Sequence, residues 1–249
     1  MSGAVRVGCS GFVYRDWRGT VYPADLPARA WLDCYTTMFD TVELNTSFYR
    51  LPAATMVQRW ADAAPPGFIY ALKVGRFGTH RKKLKDPDFW MANHVERFRL
   101  LGVTSGPHLF QLPPRWRVDV GRLDAVLEVA RALAPTWRWA VEVRDPSWLC
   151  DDVYAVLAHR EAALCIHDLL PDHPWVRTAP DWTYVRFHGP DAAHHAYVGR
   201  YTGRRLATPA GRLAAWRDEG CDVYAYFNND HGGAAVHDAR WLRERLNEG

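Results

Sequence analysis

Two glutamates, three cationic side chains and two histidines stand where strand alternation turns them away from apolar neighbours. Glu43 lies between Val42 and Leu44, Glu142 between Val141 and Val143, and Arg186 between Val185 and Phe187. Residues two apart in a strand share a face, so Glu43 goes with Asn45, Glu142 with Arg144, and Arg186 with His188. The same reading of the other apolar runs adds Lys73, Gln111, His167 and Asn228. A carboxylate beside cations stays ionised and acts as a base, while a more desolvated one holds its proton and acts as an acid. Guanidinium forks grip phosphate or carboxylate in two places. The expected chemistry is general acid/base catalysis on a small anionic substrate, phosphorylated or sugar-like. Glu43 and Glu142 form the expected acid/base pair, with His188 and His167 as further proton carriers. Lys73, Arg144 and Arg186 would clamp the anion, and Asn45, Gln111 and Asn228 would orient the substrate.

Such groups act together only if separate elements bring them to one place. Strands are expected at 5–9, at the start of the stretch 40–50, and at 68–74, 108–112, 139–143, 163–167, 182–188 and 223–227. Between them, apolar residues three and four apart predict helices over 28–39, 53–64, 88–101, 120–133, 153–159, 209–216 and 234–246. Strands alternating with helices argue for parallel pairing, because each crossover returns the chain through a helix. Eight such units fit an α/β fold of one domain spanning residues 1–249, a single (β/α)8 TIM-type barrel with parallel strands. A doubly wound open sheet is the alternative, but Gly8-Cys9-Ser10-Gly11 lacks the spacing of a dinucleotide fingerprint. In the barrel the candidate residues sit at or near the C-terminal ends of their strands, where barrel active sites are assembled. The bland alternative is a structural ion network lining the barrel.

Composition narrows the remaining classes. A formal charge of +3 on 249 residues makes no general case for nucleic acid, so any charge argument must be local. The five cysteines are scattered without a CxxC pair, which fits a reducing compartment and disfavours a disulfide framework or zinc cage. The first residues hold no apolar run of signal-peptide length and no window approaches a membrane span, so a cytoplasmic protein without a membrane partner is expected. No cofactor is implied. Glu43, Glu142, His167 and His188 are of the types that bind divalent cations, but three neighbouring cations oppose a metal and no HxH or HExxH spacing occurs.

Arg76 to Lys85 is the one basic cluster, and it follows a strand, so it would overhang the barrel mouth. It supports an alternative in which the protein binds or processes nucleic acid. Tyr14, Trp17, Phe48 and Tyr49 lie in the first two loops, where they could stack on a sugar or base or close the barrel top as a hydrophobic lid. Phe227 to Gly233 leads into a helix N-terminus, a place that binds phosphate in many barrels; Asp230 there could instead cap the helix. Ser10 lacks the GxSxG context of a hydrolase nucleophile. A third alternative is a ligand sensor without turnover.

Several segments together resemble a known family. They are Val7-Gly8-Cys9-Ser10-Gly11-Phe12 with Tyr14 and Trp17, Thr41 to Arg50, Leu109 to Pro114, Val141 to Arg144 with Ser147-Trp148, Val185 to Gly189, and Tyr226 to Asp230. In this order they resemble the domain-of-unknown-function 72 (YecE-like) family over nearly the whole chain. The resemblance implies a (β/α)8 barrel and supplies no reaction. Cys9 and Phe12 stand where the family usually has Thr and Trp, which alters the shape of the first loop.

Overall fold

The computed structural model describes residues 1–247. Its strands are β1 (Val5–Cys9), β2 (Thr41–Leu44), β3 (Ile69–Lys73), β4 (Ser105–Gln111), β5 (Trp139–Glu142), β6 (Ala163–His167), β7 (Trp182–Phe187) and β8 (Asp222–Phe227). The α-helices are α1 (Trp31–Thr36), α2 (Thr46–Tyr49), α3 (Ala54–Ala63), α4 (Pro87–Phe98), α5 (Val120–Leu133), α6 (Asp151–His159), α7 (Gly203–Asp218) and α8 (Ala234–Asn247). The sheet runs β1-β8-β7-β6-β5-β4-β3-β2, and its registered pairs are parallel. The fold is the expected (β/α)8 TIM-type barrel.

The expected helix and strand boundaries need few corrections. Residues 46–49 form one turn of helix where a loop was expected. Helix α7 starts six residues before Pro209, capped by Thr202, whose hydroxyl accepts from Arg205 N at 3.3 Å. A proline inside a helix ordinarily breaks it, and reading Pro209 as a start hid the first turns.

The chain divides into two compact units. The first comprises Met1–Glu43, His167–Pro171 and Asp181–Gly249, and holds β1, β7, β8 and most of β2. Here β8 pairs with β1 from Val5↔Val223 to Cys9↔Phe227 and with β7 from Trp182↔Asp222 to Phe187↔Phe227. A side chain links β1 to β2: the Tyr35 hydroxyl accepts from Cys9 N at 2.8 Å and donates to Thr41 O at 3.0 Å. Only glycine leaves room for it, since a Cβ at Gly8 would stand 2.9 Å from that hydroxyl and 2.3 Å from Thr41 O. On the inner face Thr41 and Tyr226 share a hydrogen bond of 2.7 Å, and the rings of Tyr184 and Tyr226 pack 5.3 Å apart. These residues floor the first polar cluster.

The second unit, Leu44–Ile166 with Asp172–Pro180, holds β3, β4, β5 and nearly all of β6. Trp139, Val141 and Val143 join Phe110 and Leu112 in a core with Leu123, Val126, Leu127 and Ala130 of α5. That is the outward face expected for β5, and it leaves Glu142 on the other. His108 belongs to this apolar layer. It stacks on Trp137 at 4.1 Å, and its Nδ1 lies 2.8 Å from His94 Nε2. Burial pushes His94 down to about 3 and holds His108 well below its ordinary value, so the pair is neutral and structural. Among the described residues no helix is long and apolar enough to cross a membrane.

Candidate active site

In the first unit the inward side chains form one hydrogen-bonded chain. Glu43, Arg186 and His188 are wholly buried, as are Ser10 and Tyr184. The Ser10 hydroxyl donates to Glu43 Oε1, which also accepts from Arg186 Nη2 at 2.8 Å and Nε at 3.2 Å. Tyr184 donates to Glu43 Oε2 at 2.7 Å. Arg186 Nη2 further donates to Ser10 Oγ at 3.1 Å, and its Nη1 lies 3.1 Å from His188 Nε2. A guanidinium has only donors, so His188 Nε2 accepts and its proton sits on Nδ1. That Nδ1–H donates to Asp168 Oδ1 at 3.1 Å, while His188 N donates to the same carboxylate at 2.9 and 3.2 Å and the Tyr201 hydroxyl donates to Oδ2. Burial pushes Asp168 up to about 6 against the pull of those donors. His167 is buried at the end of β6, its ring 6.0 Å from that of His188, and its Nδ1 accepts from Leu169 N at 3.2 Å.

Beside this chain stands a carboxyl without such support. Asp230 begins the turn after β8, yet its side chain makes no capping bond, contrary to the capping alternative. Its Oδ1 is buried with no hydrogen-bond partner among the described residues. Burial pushes Asp230 up to about 7, with Glu43 raising it further and Tyr14 and Arg186 lowering it. Tyr14 donates to Ser10 O at 2.6 Å, and Trp17, fully enclosed, donates its indole N–H to Asp230 O at 2.8 Å. Trp17 is thus packed within the first unit, with no face open to solvent.

The second unit is built on different electrostatics. Lys73 closes β3 and donates to Gln111 Oε1 at 2.6 Å, with its Nζ 4.7 Å from the centre of the Phe48 ring. Ser47 anchors this corner by donating to Lys73 O at 2.7 Å. Glu142, one strand over and in register with Gln111, is fully buried and accepts from Arg144 Nε. After β3 the chain makes a π-helical turn, Phe77–Arg81, which carries His80. Burial first, then the charges of Lys73, Arg144 and Arg76, push His80 down to about 4, against the opposing charge of Glu142. His80 Nδ1 lies 3.0 Å from Thr79 Oγ1, whose own proton goes to Gly75 O at 3.3 Å. The Nε2 of His80 makes no hydrogen bond among the described residues. The charges acting on the imidazole are thus mostly positive.

Residues 6–249 match the family described as "Protein of unknown function DUF72". The chain belongs to the DUF72 family. Among its relatives, the UPF0759 protein YunF of Bacillus subtilis (strain 168) is 26% identical across 97% of this chain and 94% of its own length. The UPF0759 protein YecE of Escherichia coli (strain K12) is 27% identical over 117 residues, 47% of this chain and 42% of YecE. A DUF72 protein of Thermotoga maritima has a crystal structure that superposes with a TM-score of 0.86 at 28% identity, covering 98% of this chain and 99% of that one. One from Enterococcus faecalis, 21% identical, shares the fold with a TM-score of 0.79 over 98% and 95% of the two chains.

In this DUF72 protein the side chains singled out by alternation fall into two groups, each described within its own unit. Glu43, Arg186, His188, His167 and Asn228 belong to the first, and Lys73, Gln111, Glu142, Arg144 and Asn45 to the second. Asn228 is buried at the end of β8, and Asn45 is half-buried just before α2. Tyr14 contributes to the surroundings of Asp230, whereas Tyr49 is largely exposed on α2. Sequence reasoning missed His80, Asp168 and Tyr201 as members of these groups, and offered Asp230 only as part of a phosphate-binding turn or, alternatively, as a helix cap. None lies within a strand, so alternation is silent about them; His80 does follow β3 directly, and loops after barrel strands carry function. Among the described residues no group of three or more His, Cys, Asp or Glu side chains is placed to hold a metal ion.

Proposed function

We propose that this DUF72 protein is an enzyme that moves a proton on a small anionic substrate held in its second unit. Lys73, Arg144 and Arg76 bind the anion, and His80 Nε2 and the Glu142 carboxylate supply the acid/base groups. One observation carries the reading: the charges of Lys73, Arg144, Arg76 and Glu142 all act on an imidazole whose Nε2 makes no hydrogen bond among the described residues. The charge pattern also couples binding to proton transfer. An anion offsets the cations that depress His80, so substrate binding raises its proton affinity towards the range where a general base works best. Burial still holds the imidazole below its ordinary value, which keeps it unprotonated before substrate arrives. Gln111, fixed by Lys73, orients the bound group. Glu43 and His188 are assigned to holding Arg186 in the first unit rather than to proton transfer, and His167 to packing beside His188. The oxygens of Glu43 already accept from Ser10, Tyr184 and Arg186.

The test is turnover of a panel of phosphorylated and carboxylated small molecules by the wild type, His80→Gln, Glu142→Gln and Lys73→Met. Removing the acid or base is expected to lower kcat by roughly 10²–10⁴-fold. Lys73→Met should raise KM more than it lowers kcat. Melting temperatures show whether each variant is folded. Full activity in both His80→Gln and Glu142→Gln would end the proposal, and a protein that binds such anions without ever turning them over would be a sensor instead.

A further inference from the structure

A second ligand feature lies outside the strand ends. Between α2 and the π-helical turn is a cleft of about 280 Å³, near the small end of ligand sites, which run from roughly 300 Å³ upwards. Its walls are aromatic: Phe48 and Tyr49 on one side, Phe77 and Phe89 on the other, with Trp90 beneath. Three of these rings are unusually open to solvent, Tyr49 at 69%, Phe77 at 47% and Phe89 at 75%. Clustered exposed aromatics rimmed by charge mark interaction sites. The charge here has one sign. Arg50, Arg76 and Arg81 line the cleft, no acidic residue does, and none of the three makes an ion pair among the described residues.

The wall is also held ready. Gly78 lies flat against Trp90, where an added Cβ would stand 2.4 Å from the indole, and Trp90 is fixed by donating to Lys85 O at 3.0 Å. Lys83, Leu84 and Asp86 all take the left-handed conformation, which side-chain-bearing residues adopt at a cost of order 1–3 kcal/mol each and which gathers at functional sites. The basic run is therefore an ordered turn that displays Phe77 and Arg81 together, rather than a flexible charged loop.

We infer that this cleft binds a planar aromatic anion of the size of a nucleoside monophosphate. The ring packs among Phe48, Tyr49, Phe77 and Phe89, and the phosphate is held by the arginines. Aromatic faces supply stacking that tolerates many ring types, and guanidinium forks match a phosphate bidentately. Charge complementarity and the small volume favour one such unit over a polymer. The inference is independent of the acid/base reading, although Arg76 borders both sites.

Calorimetric titration with AMP, adenosine and inorganic phosphate tests it. AMP is expected to saturate one site, with adenosine and phosphate each at least about tenfold weaker, because each lacks half of the recognition. Arg81→Ala and Phe89→Ala change exposed side chains of this cleft alone, and each should weaken AMP by about fivefold or more. His80→Gln and Glu142→Gln should leave AMP affinity unchanged, which separates this site from the proposed catalytic one. Adenosine binding as tightly as AMP, absence of saturation, or wild-type affinity in both Arg81→Ala and Phe89→Ala would each overturn the inference. AMP affinity lost only in His80→Gln or Glu142→Gln would move the nucleotide to the other site and overturn it equally.

Discussion

The two polar clusters of this barrel use similar residue types to opposite ends. In the first unit each charge has a counterpart: Glu43 is held by Arg186, Ser10 and Tyr184, and Arg186 is completed by His188, which Asp168 supports in turn. In the second, Arg144 donates to Glu142 and Lys73 to Gln111, and burial followed by the charges of Lys73, Arg144 and Arg76 depresses His80. A buried network with every partner in place fixes geometry and resists change. On the proposed reading, the second cluster instead receives counter-charge from its substrate. Burial and polarity alone do not separate the two; the sign of the charges around the titrating groups does.

The largest expected consequence is on stability. Arg186→Met leaves the Glu43 carboxylate buried without its cation, and breaking such a pair is destabilising by roughly 3–5 kcal/mol. In a chain of this size that corresponds to a fall in melting temperature of about 10 °C. The double variant Glu43→Gln/Arg186→Met removes both charges and should recover much of the loss. Lys73→Met in the second unit should shift stability by less than about 1.5 kcal/mol, since its hydrogen bond to Gln111 is to a neutral partner and its loss relieves like-charge repulsion. Equal losses for Arg186→Met and Lys73→Met in urea denaturation would erase the distinction between the clusters.

Asp230 sharpens the comparison, because it is the member of the first unit without full support. Its folded-state proton affinity is raised to about 7, mainly by burial, above the ordinary carboxylate value of roughly 3.9. Between those values the native state binds more protons than the unfolded chain, so stability falls as pH rises through that window and levels off above about pH 7. Asp230→Asn should flatten this slope and leave the protein more stable than wild type at pH 8, with little difference at pH 4. Unfolding free energies measured across that range decide it. A slope left unchanged by Asp230→Asn would mean that the carboxyl is charged and well solvated.

How far the sequence reveals all this depends on where a residue sits. Glu43, Glu142, Arg186 and Lys73 lie in strands whose apolar neighbours alternate with them, and period two assigns their face without further information. Helix α5 was legible to both ends because its apolar stripe has no competing signal. His80, Asp168 and Asp230 lie in turns, where side-chain direction follows local backbone geometry rather than a period. The π-helical turn is a clear case: a run of cations reads as a solvated loop, yet Gly78 packing on Trp90 folds it against α4. Partner counts were equally hidden, since Glu43 and Glu142 look alike in sequence and differ only in what surrounds them.

The smallest effect separates the clusters by ligand rather than by mutation. If the second unit carries surplus positive charge, inorganic phosphate should stabilise the protein by binding the native state alone. At ten times its dissociation constant the gain is about 1.4 kcal/mol, a rise of roughly 3–5 °C in melting temperature. Sodium chloride at matched ionic strength controls for general screening. Arg81→Ala removes the exposed cleft arginine and should keep most of the rise, whereas Lys73→Met should lose it. Glu142→Gln should enlarge it, because removing the lone carboxylate deepens the charge excess. A rise unaffected by Lys73→Met would place phosphate elsewhere and leave the second cluster as balanced as the first.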